Sequence, residues 1–178
     1  MEEIKTRRSV RKFKDTIIED QVLNELVERS RFSPSWGNTQ CTRYHFIKNI
    51  DIIKRIKNEA VMDFVYNKKV LENAKQILIL TYVTGKSGKL EKYNIESSNP
   101  NKWEIFDVGI ACQTFCLAAW EKKIGTVIMG VIDDQKIKEI INLNDNENVA
   151  ALIVYGIPEE IPQAPKRLEV NELINIIK

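Results

Sequence analysis

Hydrophobic and polar residues alternate along this chain with a period that changes from segment to segment. An i, i+4 stripe of apolar residues predicts a helix over about 18–31, and amphipathic periodicity predicts one or two helices over 50–74. The run QILILTYV (76–83) is continuously apolar and rich in β-formers, which predicts a buried central strand. Further strands are predicted at 43–47, 125–132 and 148–156, with a short helix at 133–142. This mixed order of elements indicates the α+β class.

The segment 103–120 is apolar nearly all round, unlike the amphipathic helices. Such a helix must be buried on most faces, either in the core or across a subunit interface. Cys112 and Cys116 lie one helical turn apart there, which is a possible spacing for a ligand pair. In so apolar a helix the two side chains are better interpreted as small core residues.

Four segments lack a clear hydrophobic period. The first, 2–9, is predicted to form a short basic helix. SPSWGNTQ (33–40) is a loop, because its proline and glycine break helix and strand. The polar stretch 84–102 is too long for a plain connector and is a candidate lid. The tail, 157–178, carries three prolines and is predicted to run extended. We expect a single domain over 1–178.

Composition narrows the class of protein. With 43% hydrophobic residues, 29% charged residues and a net charge of +2, the chain resembles a globular protein and not a general nucleic-acid binder. No apolar run approaches the ~20 residues that span a bilayer, so no membrane partner is expected. None of the three cysteines sits in a C-x-x-C motif, which favours a reducing cytoplasm.

The single histidine, His45, excludes several chemistries. It lies in the predicted strand 43–47, where a lone histidine is usually structural. Without a second histidine, His-rich metal sites are excluded, and Cys41 nearby supplies too few ligands. No nucleophile motif surrounds His45 either. We therefore expect no bound metal and no catalytic side chain, and a cofactor that carries any chemistry.

The stretch RRSVRKF near the start concentrates positive charge: six of the ten residues from 5 to 14 are basic and none is acidic. On a helix, Arg7 and Arg11 would converge on one spot. Arginine guanidinium groups and the Ser9 hydroxyl suit a phosphate. A second basic pair, at 166–167, follows the proline-rich tail. The residues alone leave a bound phosphate group and a solvated basic face both open.

Two common nucleotide-binding motifs do not occur. TGKSGK contains Gly-Lys-Ser, but position 81, where a phosphate loop needs glycine, is threonine. A flexible loop is the better interpretation. No G-x-G-x-x-G occurs in the sequence, so no Rossmann site for a tightly bound dinucleotide is expected.

Six blocks carry a family resemblance when they are taken in chain order: RRSVRKF, FSPSWGNTQ, YNKKVLENAKQILIL, FDVGIACQTFCLAA, GTVIMG and YGIPEEIPQAPKRLE. In this order and spacing they resemble the nitroreductase family of FMN-dependent oxidoreductases. The resemblance implies a nitroreductase-like α+β fold, in which helices surround a central, mostly antiparallel sheet. It also implies a homodimer with FMN at the subunit interface, and the apolar helix 103–120 within that interface.

The resemblance carries cofactor-binding roles onto particular residues. Binding of the FMN phosphate, ribityl chain and pyrimidine edge is implied for Arg7, Arg8, Ser9 and Arg11. The loop that comes from the other subunit to cover the flavin ring is implied to be Pro34, Ser35, Trp36 and Asn38, with Gln40 just beyond. Flavin contacts are further implied for Asn67, Met129 and Gly130, and a return to the phosphate for Lys166 and Arg167. Of these, Arg11 is expected near N1 and the Gly130 backbone near N5.

The implied activity is a ping-pong reaction. NAD(P)H serves as a transient electron donor that gives hydride to the flavin, and a nitroaromatic, a quinone or a similar small-molecule acceptor then takes the electrons. A dinucleotide that only visits needs no Rossmann fold. Two departures from the family pattern stand out: Cys41-Thr42 occupies the place of a frequent Pro-Trp, and the end of the chain is short for an arm that reaches the partner subunit.

Three alternatives stay open at this point. The first is a flavoenzyme that reduces another electrophile, such as a halogenated aromatic or an enone. The second is a flavin-binding or flavin-sequestering protein with little turnover. The third is a nucleic-acid binder, which is disfavoured because no other aromatic or basic residues occur at matching spacing. The favoured interpretation is a cytoplasmic, homodimeric flavoenzyme with no nucleic-acid or membrane partner.

Overall fold

An antiparallel sheet organises the chain in the computed structural model, which describes residues 2–62 and 64–178, with only the backbone of Asn101. Its strands are β1 (Thr42–Ile47), β2 (Ile77–Val83), β5 (Gly125–Met129) and β6 (Glu147–Gly156). Their order across the sheet is β1-β2-β6-β5, and every neighbouring pair is antiparallel. The predicted central position of the 76–83 run is confirmed, and β1 and β5 are the outer strands.

Helices cover both faces of the sheet, and they are α1 (Glu3–Thr6), α2 (Asp20–Ser30), α3 (Ile50–Glu59), α4 (Val65–Glu72), α5 (Pro100–Glu121) and α6 (Asp134–Ile140). Side chains alternate along β2, so Ile77 and Ile79 pack with α3, α4 and α6, whereas Leu78 and Leu80 pack with α2 and α5. The α+β class and the helix–sheet–helix layering predicted from the resemblance are confirmed. No helix in the described ranges is both long enough and apolar enough to span a bilayer.

Helix α5 is buried along most of its length, as its composition predicts. Cys112 and Cys116 are both buried and both pack in the core cluster between α5 and the sheet, which confirms their interpretation as core residues. The outward face of α5 is also apolar, because Ile105 and Phe106 are more than half exposed there. Beside them, a Cβ added at Gly109 would meet no atom within 4 Å.

The predicted helix over 2–9 is wrong beyond Thr6, where α1 ends. From Arg7 the chain becomes extended, and Ser9 forms a parallel bridge with Thr126 on the outer edge of β5. Val10 is fully buried and its N–H donates to the Thr126 carbonyl at 3.0 Å. Burial of Val10 and pairing with an open strand edge therefore outweigh helix formation, and Arg7 and Arg11 do not share a helical face.

The segment 84–102 is more regular than its composition predicts. It contains a short hairpin of β3 (Lys89–Leu90) and β4 (Ile95–Glu96), joined through a 3-10 turn at Glu91–Tyr93, and α5 begins at Pro100. Beyond Gly156, the described tail contains one short element, the 3-10 turn Val170–Glu172. The tail starts alongside the N-terminal segment, where Phe13 bridges with Pro158.

Candidate functional site

The basic N-terminal segment lies against the outer edge of β5. The Ser9–Thr126 bridge fixes its register, and Gly125 allows the close approach. A Cβ at Gly125 would lie 2.6 Å from Val10 Cγ2 and 3.0 Å from Pro158 Cγ, so no larger residue fits there without a shift. This packing places the Ser9 hydroxyl and its arginine neighbours along one strand edge.

Two of the arginines in this segment donate to backbone carbonyls. The Arg8 guanidinium donates to the carbonyls of Lys5 and Arg7 at 2.8 and 2.9 Å, and that of Arg11 donates to the Ser9 carbonyl at 3.1 Å. Within residues 2–62 and 64–178, no carboxylate forms an ion pair with any of the three guanidinium groups. Unneutralised guanidinium groups at one edge are a suitable environment for an anion.

The positive charge of Arg7 acts on the thiol pair of α5, Cys112 and Cys116. A hydrogen bond from Cys112 lowers the pKa of the Cys116 thiol and outweighs the effect of burial, and hydrogen bonding to Thr126 and the positive charge of Arg7 lower it further. In Cys112 the hydrogen bond to Cys116 and burial raise the pKa of the thiol, and the positive charge of Arg7 only partly opposes this. Arg7 itself is half-buried.

The end of β5 brings together Asn67, Met129 and Gly130. The Asn67 side chain is 9% exposed and donates from Nδ2 to the Val131 carbonyl at 3.3 Å. Met129 is buried, whereas Gly130 is exposed, and a Cβ added at Gly130 would meet no atom within 4 Å. Half-exposed Ile128 and Val131 flank this glycine. The result is an open stretch of backbone with apolar neighbours and one buried amide.

The predicted ring-covering loop leads into the opposite outer strand, β1. Its backbone turns sharply, with positive φ at Gly37 (56°), Asn38 (55°) and Gln40 (51°). The Ser35 hydroxyl accepts from the Gln40 N–H at 2.9 Å, and the Trp36 ring lies 6.4 Å from that of Trp103 on α5. A cavity of about 440 Å³ opens beside Pro34, Ser35 and Gln40, between the loop, α2, β1 and α5.

A buried carboxylate holds this loop. Both oxygens of Asp107 accept from the Trp36 N–H, at 3.0 and 3.1 Å, and Oδ2 also accepts from the Ser87 hydroxyl at 2.5 Å. The Cys41 Sγ lies 3.9 Å from the same oxygen. Burial and the nearby charges of Asp107 and Glu104 raise the pKa of Cys41 to about 11, so this thiol is protonated at neutral pH.

The two groups of predicted residues lie at opposite edges of the sheet. Ser9 and Gly130 belong to the β5 edge, and the loop from Pro34 to Gln40 belongs to the β1 edge. Strands β2 and β6 separate β1 from β5, and the three inter-strand spacings amount to about 14 Å. Within one chain, therefore, the loop and the β5 edge do not form a common site.

Lys166 and Arg167 are exposed in the tail. Neither forms a hydrogen bond or an ion pair within the described residues. The tail nevertheless starts beside the basic segment, because the Glu159 N–H donates to the Lys12 carbonyl at 3.1 Å and Lys12 pairs with Glu160 at 3.1 Å.

Sequence reasoning missed the buried polar residues around the loop. Glu104 and Asp107 on α5 are 4% and 2% exposed, and Glu104 accepts from the Gly85 N–H at 2.5 Å. Two carboxylates one helical turn apart in an otherwise apolar helix were the available signal. Ser87, which is 1% exposed, gave no signal, because it lies in a polar segment.

His45 belongs to a separate polar cluster on the other face of the sheet. Its Nε2 lies 2.8 Å from Oε2 of Glu147, and the Thr81 hydroxyl donates to the same oxygen at 2.8 Å. Asn144 Nδ2 donates to Oε1 at 3.3 Å. The cluster links β1, β2 and β6, which agrees with the structural interpretation of His45.

Comparison with known proteins gives the family. The model of the nitroreductase family matches residues 4–157 of this chain, which therefore belongs to that family. Among individual proteins, it is 24% identical over 184 residues to "Putative NAD(P)H nitroreductase YfhC" of Bacillus subtilis (strain 168). That alignment covers 95% of this chain and 89% of the relative.

Solved structures give the same fold. The crystal structure of "a putative nitroreductase in complex with FMN" from Exiguobacterium sibiricum 255-15 superposes with a TM-score of 0.86 at 16% identity, covering 99% of this chain and 96% of that one. A nitroreductase family protein from Streptococcus pneumoniae TIGR4 superposes with a TM-score of 0.85 at 17% identity, covering 99% and 98%. At these identities the superpositions establish the fold, and the nitroreductase-like fold expected from the sequence is confirmed.

Proposed function

We propose that this chain is an FMN-dependent oxidoreductase that uses NAD(P)H to reduce nitroaromatics, quinones or similar electrophiles. The observation that carries the proposal is the β5 edge, where an open glycine backbone lies beside arginines that pair with no carboxylate of the described residues. Support also comes from a structural neighbour described in complex with FMN and from a relative named as an NAD(P)H nitroreductase.

The phosphate end of the site is assigned to Arg7, Arg8 and Ser9. Guanidinium groups without acidic partners and a hydroxyl form charge-assisted hydrogen bonds with a phosphate. Ser9 bridges to Thr126 on β5. Gly130 follows Thr126 by four residues, so the two positions are about 13 Å apart at ~3.3 Å per residue. FMN likewise carries its phosphate and its ring at opposite ends, so one strand edge can serve both groups.

The ring end is assigned to Asn67, Met129 and Gly130. Open backbone at Gly130 lets a flat ring approach without meeting a Cβ, and Ile128 and Val131 supply apolar surface on either side. Arg11 supplies a positive charge for the pyrimidine edge, which stabilises negative charge there. When bound, FMN supplies the redox chemistry, accepting hydride from NAD(P)H and passing electrons to the acceptor.

The site is completed by a second copy of the chain. Because the loop from Pro34 to Gln40 lies at the far edge of its own sheet, we assign it to the flavin of the partner subunit. The exposed apolar face of α5, with Ile105, Phe106 and the open Gly109, supplies surface for the dimer interface. Lys166 and Arg167 are assigned to the phosphate, which requires the tail to fold back on the basic segment.

The test is an FMN titration of the purified protein, followed by anaerobic NADH or NADPH and by a mass measurement in solution. We expect one FMN per chain, rapid bleaching of the flavin absorbance, and a mass twice the 20.6 kDa of the chain. Tight FMN with no bleaching by either donor would favour the flavin-sequestering alternative. A protein that binds no FMN would contradict the proposal.

A further inference from the structure

We propose that Asp107 is a positioning residue that fixes the 34–40 loop and the 84–99 segment as one unit over the flavin of the partner subunit. This inference rests on the function proposed above. It concerns a buried carboxylate that neither the phosphate end nor the ring end of the site uses.

The geometry joins two segments that are distant in sequence. The Trp36 N–H donates to both Asp107 oxygens, at 3.0 and 3.1 Å, and the Ser87 hydroxyl donates to Oδ2 at 2.5 Å. Asp107 is 2% exposed and Ser87 is 1% exposed, so these bonds are shielded from water. One carboxylate thus holds the loop through Trp36 and the hairpin segment through Ser87.

A second set of contacts holds the two segments together. A Cβ at Gly37 would lie 2.9 Å from Leu90 Cδ2, so the loop and strand β3 are already in close contact. The Gly85 N–H donates to Glu104 at 2.5 Å, which anchors the start of the segment to α5. Movement of the segment therefore disturbs the loop as well.

The electrostatics explain why a carboxylate is needed. No cation pairs with Asp107 among the described residues, so its charge is stabilised by hydrogen bonds alone. An asparagine can place its oxygen at the position of Oδ2, but its NH2 group then faces the Trp36 N–H, donor against donor, and the charge that strengthens both hydrogen bonds is lost. A buried carboxylate is costly without such bonds, and its position is therefore tightly determined by them.

Asp107 thereby determines the shape of the space over the covered face of the flavin. The Trp36 backbone sets where its indole lies, and the same carboxylate holds the 84–99 segment at Ser87. Loss of Asp107 releases both walls of the space that an acceptor enters, but it leaves the β5 edge of the same chain intact.

The test compares three variants of the FMN-loaded dimer: Asp107→Asn, Ser87→Ala and, as a matched control, Glu147→Gln. Glu147 is also a buried carboxylate, 6% exposed, with several hydrogen-bond donors, but it lies on the other face of the sheet. The measurements are the Tm, the fluorescence of bound FMN, and kcat and KM with p-benzoquinone as acceptor.

For Asp107→Asn we expect brighter FMN fluorescence and a KM raised about tenfold, with a much smaller change in kcat, from the loss of a charge-assisted bond. Ser87→Ala should move both quantities in the same direction by a smaller factor. Glu147→Gln should lower the Tm and leave fluorescence and KM unchanged.

The inference is overturned if Asp107→Asn lowers only the Tm, as the control does. Should Asp107→Asn fail to fold, Ser87→Ala decides, because it keeps the carboxylate and breaks only one connection. Wild-type fluorescence and KM in Ser87→Ala would then overturn the inference while the proposed function stands. A wild-type protein that binds no FMN would overturn both.

Discussion

The two outer strands of the sheet differ in how their polar groups are satisfied. Along β5, the arginines at 7, 8 and 11 have no acidic partner in the described chain, and Gly130 leaves its backbone open. Along β1, the loop around Trp36 is tied to the buried carboxylate of Asp107. This difference fits the proposed function, in which the β5 edge receives an anionic, flat ligand and the loop at the β1 edge serves as a fixed cover.

Among the variants considered, Arg7→Ala should have the largest effect, a rise in the Kd for FMN at the β5 edge. If Arg7 bonds the phosphate as proposed, loss of its guanidinium group removes about 1.5–3 kcal/mol of binding free energy, which corresponds to a roughly 10- to 150-fold rise in the FMN Kd. Arg55→Ala, which removes an equal charge from the exposed face of α3, is the control. Equal FMN affinity in both variants, measured by fluorescence titration, would contradict the assignment of Arg7.

Gly125→Ala should weaken the β5 edge more than Gly37→Ala weakens the β1 edge. The added methyl at Gly125 meets buried Val10 at 2.6 Å, and overpacking of this kind costs about 1–3 kcal/mol. At Gly37 the nearest atom, at 2.9 Å, is the end of the flexible Leu90 side chain, and the positive φ adds about 1 kcal/mol. Urea denaturation measures the loss in free energy of unfolding for each variant. A larger loss for Gly37→Ala than for Gly125→Ala would show that packing of Val10 on Gly125 does not hold the N-terminal segment in place.

Acid should loosen the β1 edge before the β5 edge. Burial raises the pKa of Glu147, but hydrogen bonds from His45, Thr81 and Asn144 outweigh it and leave the pKa below its usual range. A carboxyl group whose pKa is lowered by folding stabilises the protein at pH values above its pKa in the unfolded chain, about 4.3. This stabilisation is lost as the pH falls through the pKa of the folded state.

Hydrogen exchange at several pH values measures this effect strand by strand. Amides of β1 should lose protection below about pH 4 ahead of those of β5, and Glu147→Gln should already show the looser β1 at pH 7. A stability difference between wild type and Glu147→Gln that stays constant from pH 7 to pH 3 would contradict the role of the charged carboxylate.

Arg167→Ala should have the smallest effect, a rise of a few-fold in the FMN Kd. Its side chain is exposed, so an ordered contact with the phosphate must first pay the entropy of fixing the tail. High salt should reduce the difference from wild type, because an exposed ion pair is screened. A loss as large as that of Arg7→Ala would show that the tail is already ordered against the basic segment.

The sheet and its helices could be predicted because their signals are local. Alternation in β1, the apolar run in β2 and the i, i+4 stripe in α2 each depend on neighbours within a few residues. The N-terminal segment could not be predicted this way. Its charge spacing suits a helix, but burial of Val10 against Gly125 pairs it with a strand more than 100 residues away.

The candidate site shows the same division. Residues of the basic block and the 34–40 loop are recognisable because each forms a compact motif in the sequence. The Asp107 cluster is not, because the carboxylate lies 71 residues from Trp36 and 20 from Ser87. Such contacts are set by the packing of α5 on the sheet, and no local pattern encodes them.

The most direct test of a site shared by two chains uses hybrid dimers. One chain carries Arg7→Ala, which damages the β5 edge. The other carries Gly37→Val, which damages the cover, because a β-branched residue is strained at φ +56° and collides with Leu90. The two chains are co-expressed with different tags, and the hybrid is purified for measurement of FMN content and of NAD(P)H-driven quinone reduction.

A shared site predicts that the hybrid regains one intact site, formed by the β5 edge of the Gly37→Val chain and the loop of the Arg7→Ala chain. Flavin content and activity should then reach about half of the wild-type values, although each parent dimer has little of either. A hybrid as poor in flavin and activity as its parents would contradict the account, because it would mean that each chain covers its own flavin.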